Sequence, residues 1–363
     1  VSSLAPRNTV NTNIKAYNLS VPIDHFHNET KYAPHSDGFF NLRYWADVSH
    51  YQKGGPVIIL HSGEFPSEGR LPFLDHGIAS ILIKATGGVG IVLEHRYYGT
   101  SWPTQNATTE SYRFLTTDQA LADTAYFSRH LQIPGFEHVN LTATEAPHIL
   151  YGGSYAGGFV AFARKVYPDV FWGAISSSGV TMAIDDFWQY HEATRDWAPG
   201  RCSGNLEKLV SIVDRILVRS DYAQQSQFKA LFGLRDLWHD EFAGLLMEAQ
   251  PSIQGTNWDP AVDSIDFGLF CAVISSDSLL FKSTEQYTAT LGRLMSLSGF
   301  SNYMTVPMLN YIGYVRDYVK KRKAQCGSEK SLRECLSVRY MQGSTEIDMD
   351  TWQRSWMYQT CTE

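Results

Sequence analysis

A serine set among small residues is where this chain offers chemistry. In Tyr151-Gly152-Gly153-Ser154-Tyr155-Ala156-Gly157-Gly158, Ser154 stands where a short apolar run ends and a helical pattern begins. A strand that turns sharply into a helix at a serine holds the hydroxyl above the sheet as a nucleophile. Strand and helix can approach only if the residues two before and two after are small. Here those are Gly152 and Ala156, and Ala156 departs from the stricter G-x-S-x-G pattern by one methyl. The same turn aims the first helical N–H, that of Tyr155, at the reacting carbonyl oxygen. A second oxyanion donor is expected from the loop after an earlier strand, at Gly63 or Glu64. A glycine-rich turn before a helix is also common without chemistry, so the strand before and the helix after carry the reading.

A nucleophilic serine needs a base, and the base an orienting carboxylate, in the order Ser, then Asp or Glu, then His. Only His191 and His239 follow Ser154. Both fall in helical patterns, Phe187-Trp188-Gln189-Tyr190-His191-Glu192 and Leu237-Trp238-His239-Asp240, and each reads first as a helix-face histidine. The sequence therefore shows an elbow without a triad.

The elements that would position Ser154 are legible. Gly55-Pro56 opens Val57-Ile58-Ile59-Leu60, which ends at His61-Ser62-Gly63; Ile91-Val92-Leu93 ends in Glu94-His95-Arg96-Tyr97-Tyr98-Gly99. Short continuous apolar runs of this kind suit buried parallel strands. His148–Tyr151 and Phe171–Ile175 repeat the pattern. Between them, Thr116-Thr117-Asp118-Gln119 has the form of a capping box, and Ala120, Thr124, Phe127 and Leu131 recur at helical spacing, as do Phe159, Phe162, Ala163, Val166 and Tyr167. Alternating strand and helix predicts a parallel sheet covered on both faces. After about residue 180 strong strand runs cease. Leu206, Leu209, Val210, Val213, Ile216 and Leu217 mark an amphipathic helix, and helical stretches follow near 224–233, 236–249 and 306–323. Residues 185–350 are read as a helical insertion into a hydrolase domain that begins at 1–184 and resumes at 351–363.

Composition narrows the function classes. With 363 residues, 44% hydrophobic and 13% aromatic, the chain can bury a large core with an insertion. The net charge of −7, from 37 acidic and 30 basic residues, has no basic stripe, which argues against nucleic acid. No apolar run is long enough for a membrane span. The start at Val1, without an initiator Met, is what a processed product would show. Sequons at Asn18, Asn28, Asn106 and Asn140 lean toward the secretory pathway. The cysteines, Cys202, Cys271, Cys326, Cys335 and Cys361, lack metal-ligand spacing and read as buried thiols or, in a secreted chain, as two disulfides with one left over. No cofactor or metal is implied.

These residues resemble the serine carboxypeptidase family of proline-directed peptidases, which includes lysosomal Pro-Xaa carboxypeptidase, dipeptidyl peptidase II and fungal acid prolyl endopeptidases. The resemblance runs end to end. Asp24-His25-Phe26 and Phe40-Asn41-Leu42-Arg43-Tyr44-Trp45 look like the family's opening strands. Gly54-Gly55-Pro56 with Ser62-Gly63-Glu64 is similar to its oxyanion-side strand and loop. Glu94-His95-Arg96-Tyr97-Tyr98-Gly99-Thr100-Ser101 is the most specific block. Gly152-Gly153-Ser154-Tyr155 is the elbow, where the family usually has Gly in place of Ala156. Asp186-Phe187-Trp188-Gln189-Tyr190 resembles the entry to its helical domain, and Trp356–Glu363 the return to the hydrolase domain. The resemblance implies an α/β-hydrolase fold whose helical insertion caps the site and shapes a proline pocket. It also implies disulfides Cys202–Cys271 and Cys326–Cys335, and a catalytic Asp and His beyond Glu363. A partner for Cys361 would lie there too, so a C-terminal truncation or a cleaved second chain is expected.

The leading expectation is hydrolysis of a peptide bond on the carboxyl side of proline through a Ser154 acyl-enzyme, by an extracellular, lysosomal or vacuolar enzyme. A lipase or esterase on the same fold, or an inactive fragment, are the alternatives. Glu94 and Arg96 read first as a structural charged pair at a strand end. Tyr97 and Tyr98 either line the site or pack, and Glu64 either meets a substrate amine or fixes its own loop.

Overall fold

The computed structural model describes residues 14–185, 187–257, 263–326, 328–336, 349 and 352–363. Asp186, at the head of one block singled out above, and residue 350, the expected end of the insertion, lie outside them. The chain divides into two compact units, residues 1–183 with 345–363 and residues 184–344.

The first unit is built on a six-stranded sheet of order β1-β2-β4-β3-β5-β6. The strands are β1 (Lys15–Pro22), β2 (Phe39–Asp47), β3 (Val57–His61), β4 (Val89–Leu93), β5 (His148–Gly153) and β6 (Phe171–Ser177). β1 pairs antiparallel with β2, and β2 antiparallel with β4; β4, β3, β5 and β6 run parallel. Parallel neighbours need crossovers. These are α1 (Pro72–Asp75) with α2 (Gly77–Thr86), then α3 (Thr117–His130) and α4 (Tyr155–Val166).

β3 and β4 are buried at every position, which is why they read as unbroken apolar runs. Alternate side chains enter opposite layers. Val57, Ile59, Ile91 and Leu150 share a core with Leu121, Phe127, Phe159 and Val160 from α3 and α4. Ile58, Leu60 and Val92 pack with Leu74 and Ile83 from α1 and α2. Each such side chain contributes about 1.5–3 kcal/mol when fully buried. β6 differs from the other parallel strands: it is the sheet edge, and its Trp172 is 73% exposed.

Two local expectations are revised. Asp24-His25-Phe26 lies beyond the end of β1, in a turn held by the Phe26 N–H, which donates to Asp24 Oδ1 at 2.9 Å. Thr116 does cap α3, its Oγ1 accepting from Gln119 N. The Gln119 side chain, however, turns to the β1–β2 connection instead of closing a box. Its Oε1 accepts from His25 N at 2.9 Å and its Nε2 donates to Asp24 Oδ1 at 2.7 Å.

The second unit is helical, with no strand among its described residues. It contains α5 (Glu192–Trp197), α6 (Cys202–Arg219), α7 (Tyr222–Leu231), α8 (His239–Ala249), α9 (Asp266–Ser275), α10 (Thr288–Leu297), α11 (Thr305–Gln325) and α12 (Leu332–Leu336). α6 buries Leu209, Ile212, Val213, Ile216 and Leu217. Val210, read as part of that stripe, is exposed, and Ile212 takes its place in the core. Phe228, Phe242, Phe270, Met308 and Ile312 complete the cluster. Disulfides join Cys202 of α6 to Cys271 of α9, and Cys326 at the end of α11 to Cys335 of α12. The last helix, α13 (Gln353–Thr362), belongs to the first unit. Among the described residues no helix is long and apolar enough to cross a membrane.

Candidate active site

Ser154 occupies the turn between β5 and α4 with φ 59° and ψ −124°. A non-glycine residue at positive φ is uncommon and carries a cost of order 1–3 kcal/mol, so the surroundings must impose it. They do. Ser154 N donates to Ser177 O at 2.9 Å, and Ser154 O accepts from Gly158 N at 3.1 Å and Val180 N at 3.2 Å. The side chain is exposed at the carboxyl ends of the parallel strands, over the N-terminus of α4.

The small residues are required sterically. A Cβ at Gly152 would fall 2.1 Å from the carbonyl oxygen of Ala156. The Ala156 methyl in turn faces the loop after β3: a Cβ at Gly63 would lie 3.2 Å from it. Gly63 has φ +72°, a conformation suited to glycine, and its closeness to Tyr155 and Ala156 brings the β3 loop against the start of α4. The Gly63 N–H already donates to His61 Nδ1 at 3.3 Å. Burial pushes the neighbouring Glu64 carboxyl above its usual range, against the pull of its own backbone N–H and of Arg70.

Tyr155 is tied down behind the nucleophile. Its hydroxyl accepts from Gln359 Nε2 at 2.8 Å and lies 3.1 Å from His95 Nε2. His95 Nδ1 sits 2.7 Å from the Arg96 carbonyl, which can only accept, so Nδ1 carries the proton and Nε2 accepts from Tyr155. Tyr98 closes the circuit by donating to Gln359 Oε1 at 2.5 Å. Burial lowers the His95 pKa to about 4 and that of His61 well below the ordinary range. Both rings are buried and hold hydrogen bonds to groups other than Ser154. Among the described residues no hydrogen bond joins Ser154 Oγ to a histidine. His191 and His239 lie in the second unit, at the end of a short 3-10 turn and at the start of α8.

Glu94 and Arg96 are not paired with each other. Glu94 accepts from Arg43 Nε and Nη2 at 3.1 and 2.8 Å, and from Ser67 N, Thr100 N and Ser101 Oγ at 3.1, 3.0 and 2.8 Å. One buried carboxylate thus ties β2, the β3 loop and the β4 loop together. Arg96 donates to Asp123 of α3 through Nε and Nη2, both at 2.6 Å. Tyr97 is buried and donates to Ser111 O at 2.5 Å, so it packs. The roles of Arg43, His95, Asp123 and Gln359 were not anticipated. All but Asp123 lay inside blocks already singled out, but partners tens to hundreds of positions apart leave no local signal. α13 is held by further bonds: Ser355 Oγ donates to Tyr97 O at 2.9 Å, and Arg354 Nε to Ala107 O at 2.6 Å.

A mixed sheet carrying a strained serine elbow after its fifth strand, with helices on both faces, defines an α/β-hydrolase. Residues 21–363 match the family described as serine carboxypeptidase S28, and the chain belongs to that family. A "Probable extracellular serine carboxypeptidase" of Arthroderma benhamiae is 46% identical over 359 residues, 98% of this chain and 50% of that protein. "Serine protease vicPb" of Bipolaris victoriae is 31% identical, covering 70% of this chain and 46% of the relative. The mouse "Thymus-specific serine protease" is 32% identical over 60% of this chain and 43% of its own length. The chain thus spans about half the length of the curated relatives it matches.

Proposed function

We propose that this chain carries the nucleophile half of an extracellular serine peptidase that cleaves on the carboxyl side of proline, with Ser154 as the nucleophile. The observation that carries the reading is the backbone of Ser154, held at positive φ between β5 and α4 in a chain of the S28 family. Ser154 Oγ attacks the scissile carbonyl carbon while a histidine takes its proton. The amine leaves with that proton, and water releases the acyl group from the serine. Tyr155 N–H is the first proposed oxyanion donor. The second is Gly63 N–H, by giving up its bond to His61, or Glu64 N–H, by turning from its own carboxyl. The rings of His61 and His95 are committed elsewhere, so the base and its carboxylate are assigned to polypeptide outside residues 1–363. The relatives' length supports this, as does the exposed edge of β6, which bears Trp172 and Ile175. Extracellular location draws on the name of the Arthroderma relative, the two disulfides and four exposed sequon asparagines, Asn18, Asn28, Asn106 and Asn140. We assign glycans to those four.

The test uses the full-length protein. The wild type should label with a serine-directed phosphonate and hydrolyse a prolyl amide faster than a short acyl ester; Ser154→Ala should do neither, with a rate loss of about 10⁴ to 10⁶. Labelling retained in Ser154→Ala would remove the nucleophile assignment. A preference for the ester would remove the peptidase reading and leave the nucleophile standing.

A further inference from the structure

Away from the elbow, the connection between β1 and β2 gathers three metal-ligating side chains on the first unit. Asp24, His27 and His35 each offer one ligand atom, and these atoms lie within 4.8 Å of one another. Asp24 is buried, with its side chain fully enclosed, while both histidines are exposed. The two imidazoles stack at 5.6 Å between centroids and 29° between planes. His35 Nδ1 stands 2.7 Å from Asp24 Oδ2. Asp37 adds a fully exposed carboxylate, with Oδ1 3.7 Å from His27 Nδ1.

The carboxylate is oriented as a metal ligand would be. Its Oδ1 is held by two donors, Phe26 N at 2.9 Å and Gln119 Nε2 at 2.7 Å. That leaves Oδ2 to face the imidazoles, where His35 hydrogen-bonds to it. Outer hydrogen bonds that fix a ligating carboxylate in this way are half of what makes a metal site. His25, next in sequence, is no part of the set, because its Nε2 is bonded to Asp123 at 2.8 Å. Asp24 to His27 to His35 follows no standard ligand spacing, so the sequence alone did not disclose the group.

We propose that Asp24, His27 and His35 form a surface site for a divalent transition metal of the zinc type, with Asp37 or water as the fourth ligand. Two imidazoles and a carboxylate suit Zn²⁺ and its neighbours, whereas Ca²⁺ and Mg²⁺ demand oxygen-rich shells. At Zn–N and Zn–O distances of about 2.0–2.1 Å, tetrahedral donors stand about 3.3 Å apart. The Asp24–His35 pair need open by only about 0.6 Å to admit the ion in place of the shared proton. The ion would clip the β1–β2 connection and, through Gln119, join it to the first turn of α3.

The experiment is calorimetric titration of metal-free full-length protein with ZnCl₂. Any thiol left free in the full-length protein, Cys361 included, is blocked with N-ethylmaleimide before the titration. The expected result is one saturable site that also gives the visible absorption of tetrahedral Co²⁺ and is not displaced by excess Mg²⁺ or Ca²⁺. His35→Ala should weaken binding at least tenfold, and His27→Ala with His35→Ala should abolish it. Both positions are exposed, and an unchanged far-ultraviolet circular dichroism spectrum confirms that the variants fold. His50→Ala, an exposed histidine outside the cluster, should bind as the wild type does. Failure of the wild type to bind, binding retained in the double variant, or loss of binding in His50→Ala would each overturn the proposal.

Discussion

The side chains of Tyr155 and Gln359 meet across 204 positions of sequence, Nε2 of one donating to the hydroxyl of the other at 2.8 Å. Tyr155 follows the candidate nucleophile, and Gln359 lies on the last helix of the chain. The bond therefore anchors the start of α4 to α13, with His95 and Tyr98 completing the circuit. Tyr155→Phe leaves His95 Nε2 and one Gln359 N–H without a partner in a buried setting. It should cost about 1–3 kcal/mol. Gln359→Leu should cost a similar amount, and the double variant less than the sum, because the two share one network. Urea denaturation of the four proteins in a cycle measures the coupling; strict additivity would mean that the contact does not hold the elbow.

The two glycines flanking the elbow should respond differently to the same test. In Gly152→Ala the new methyl would meet the backbone carbonyl of Ala156 at 2.1 Å. Gly63→Ala would crowd the Ala156 methyl, at 3.2 Å, with its other neighbours at 3.8 Å and beyond, but at a φ of +72°. Ala156→Gly should therefore partly rescue Gly63→Ala, leaving a residual penalty of about 1 kcal/mol from φ, and should not rescue Gly152→Ala. Expression level and thermal midpoint of the single and double variants are the readout.

How far the sequence discloses this architecture follows from the range of each interaction. The runs at β3 and β4 are legible because both faces of those strands are buried, so Val57–Leu60 and Ile91–Leu93 are apolar throughout. Ser154 is legible because its turn needs small residues at adjacent positions. Thr116 is legible as a cap, but the fate of Gln119 is not, since its partners Asp24 and His25 come from far upstream. For the same reason Glu94 and Arg96 look like a pair when read along the chain. In space they are two separate hubs, because both lie past the end of β4, in a loop where strand alternation no longer sets direction, and Glu94 faces Arg43 while Arg96 faces Asp123. The exposure of β6 was not legible either: Phe171–Ile175 has the same local composition as a buried strand.

Acid should destabilise the first unit through its buried histidines. Burial lowers the pKa values of His95 and His148 to about 4, from an ordinary 6.5. His148 has one ring nitrogen without a hydrogen-bond partner. As pH falls below 6.5 the unfolded chain takes up these protons and the folded chain does not, so stability is full above 6.5 and is lost progressively down to about 4. Each histidine accounts for about 3 kcal/mol over that window. Urea midpoints between pH 7.5 and 4 test the slope. His148→Gln, whatever its stability at pH 7.5, should lose about 3 kcal/mol less on acidification; an unchanged slope would exonerate His148.

The sharpest stability test is the buried pair of Arg96 and Asp123. Both side chains are enclosed, and two bonds of 2.6 Å join them. Asp123 also meets His25 Nε2 at 2.8 Å, while Arg96 Nη1 reaches the carbonyls of Ile23 and Phe114 at 3.1 and 2.8 Å. Burial alone would raise the Asp123 pKa; the guanidinium and His25 outweigh it and hold the carboxyl below its usual range. Removing one partner strands the other charge in the interior, so Arg96→Met and Asp123→Leu should each cost about 3–5 kcal/mol. Removing both leaves no buried charge. The double variant should then cost less than the sum, the saving reporting the charge that is no longer stranded. If the double variant instead costs the full sum, the carbonyls of Ile23 and Phe114 would be the chief partners of Arg96, and the β1–β2 connection would depend on the guanidinium as a donor rather than as a charge.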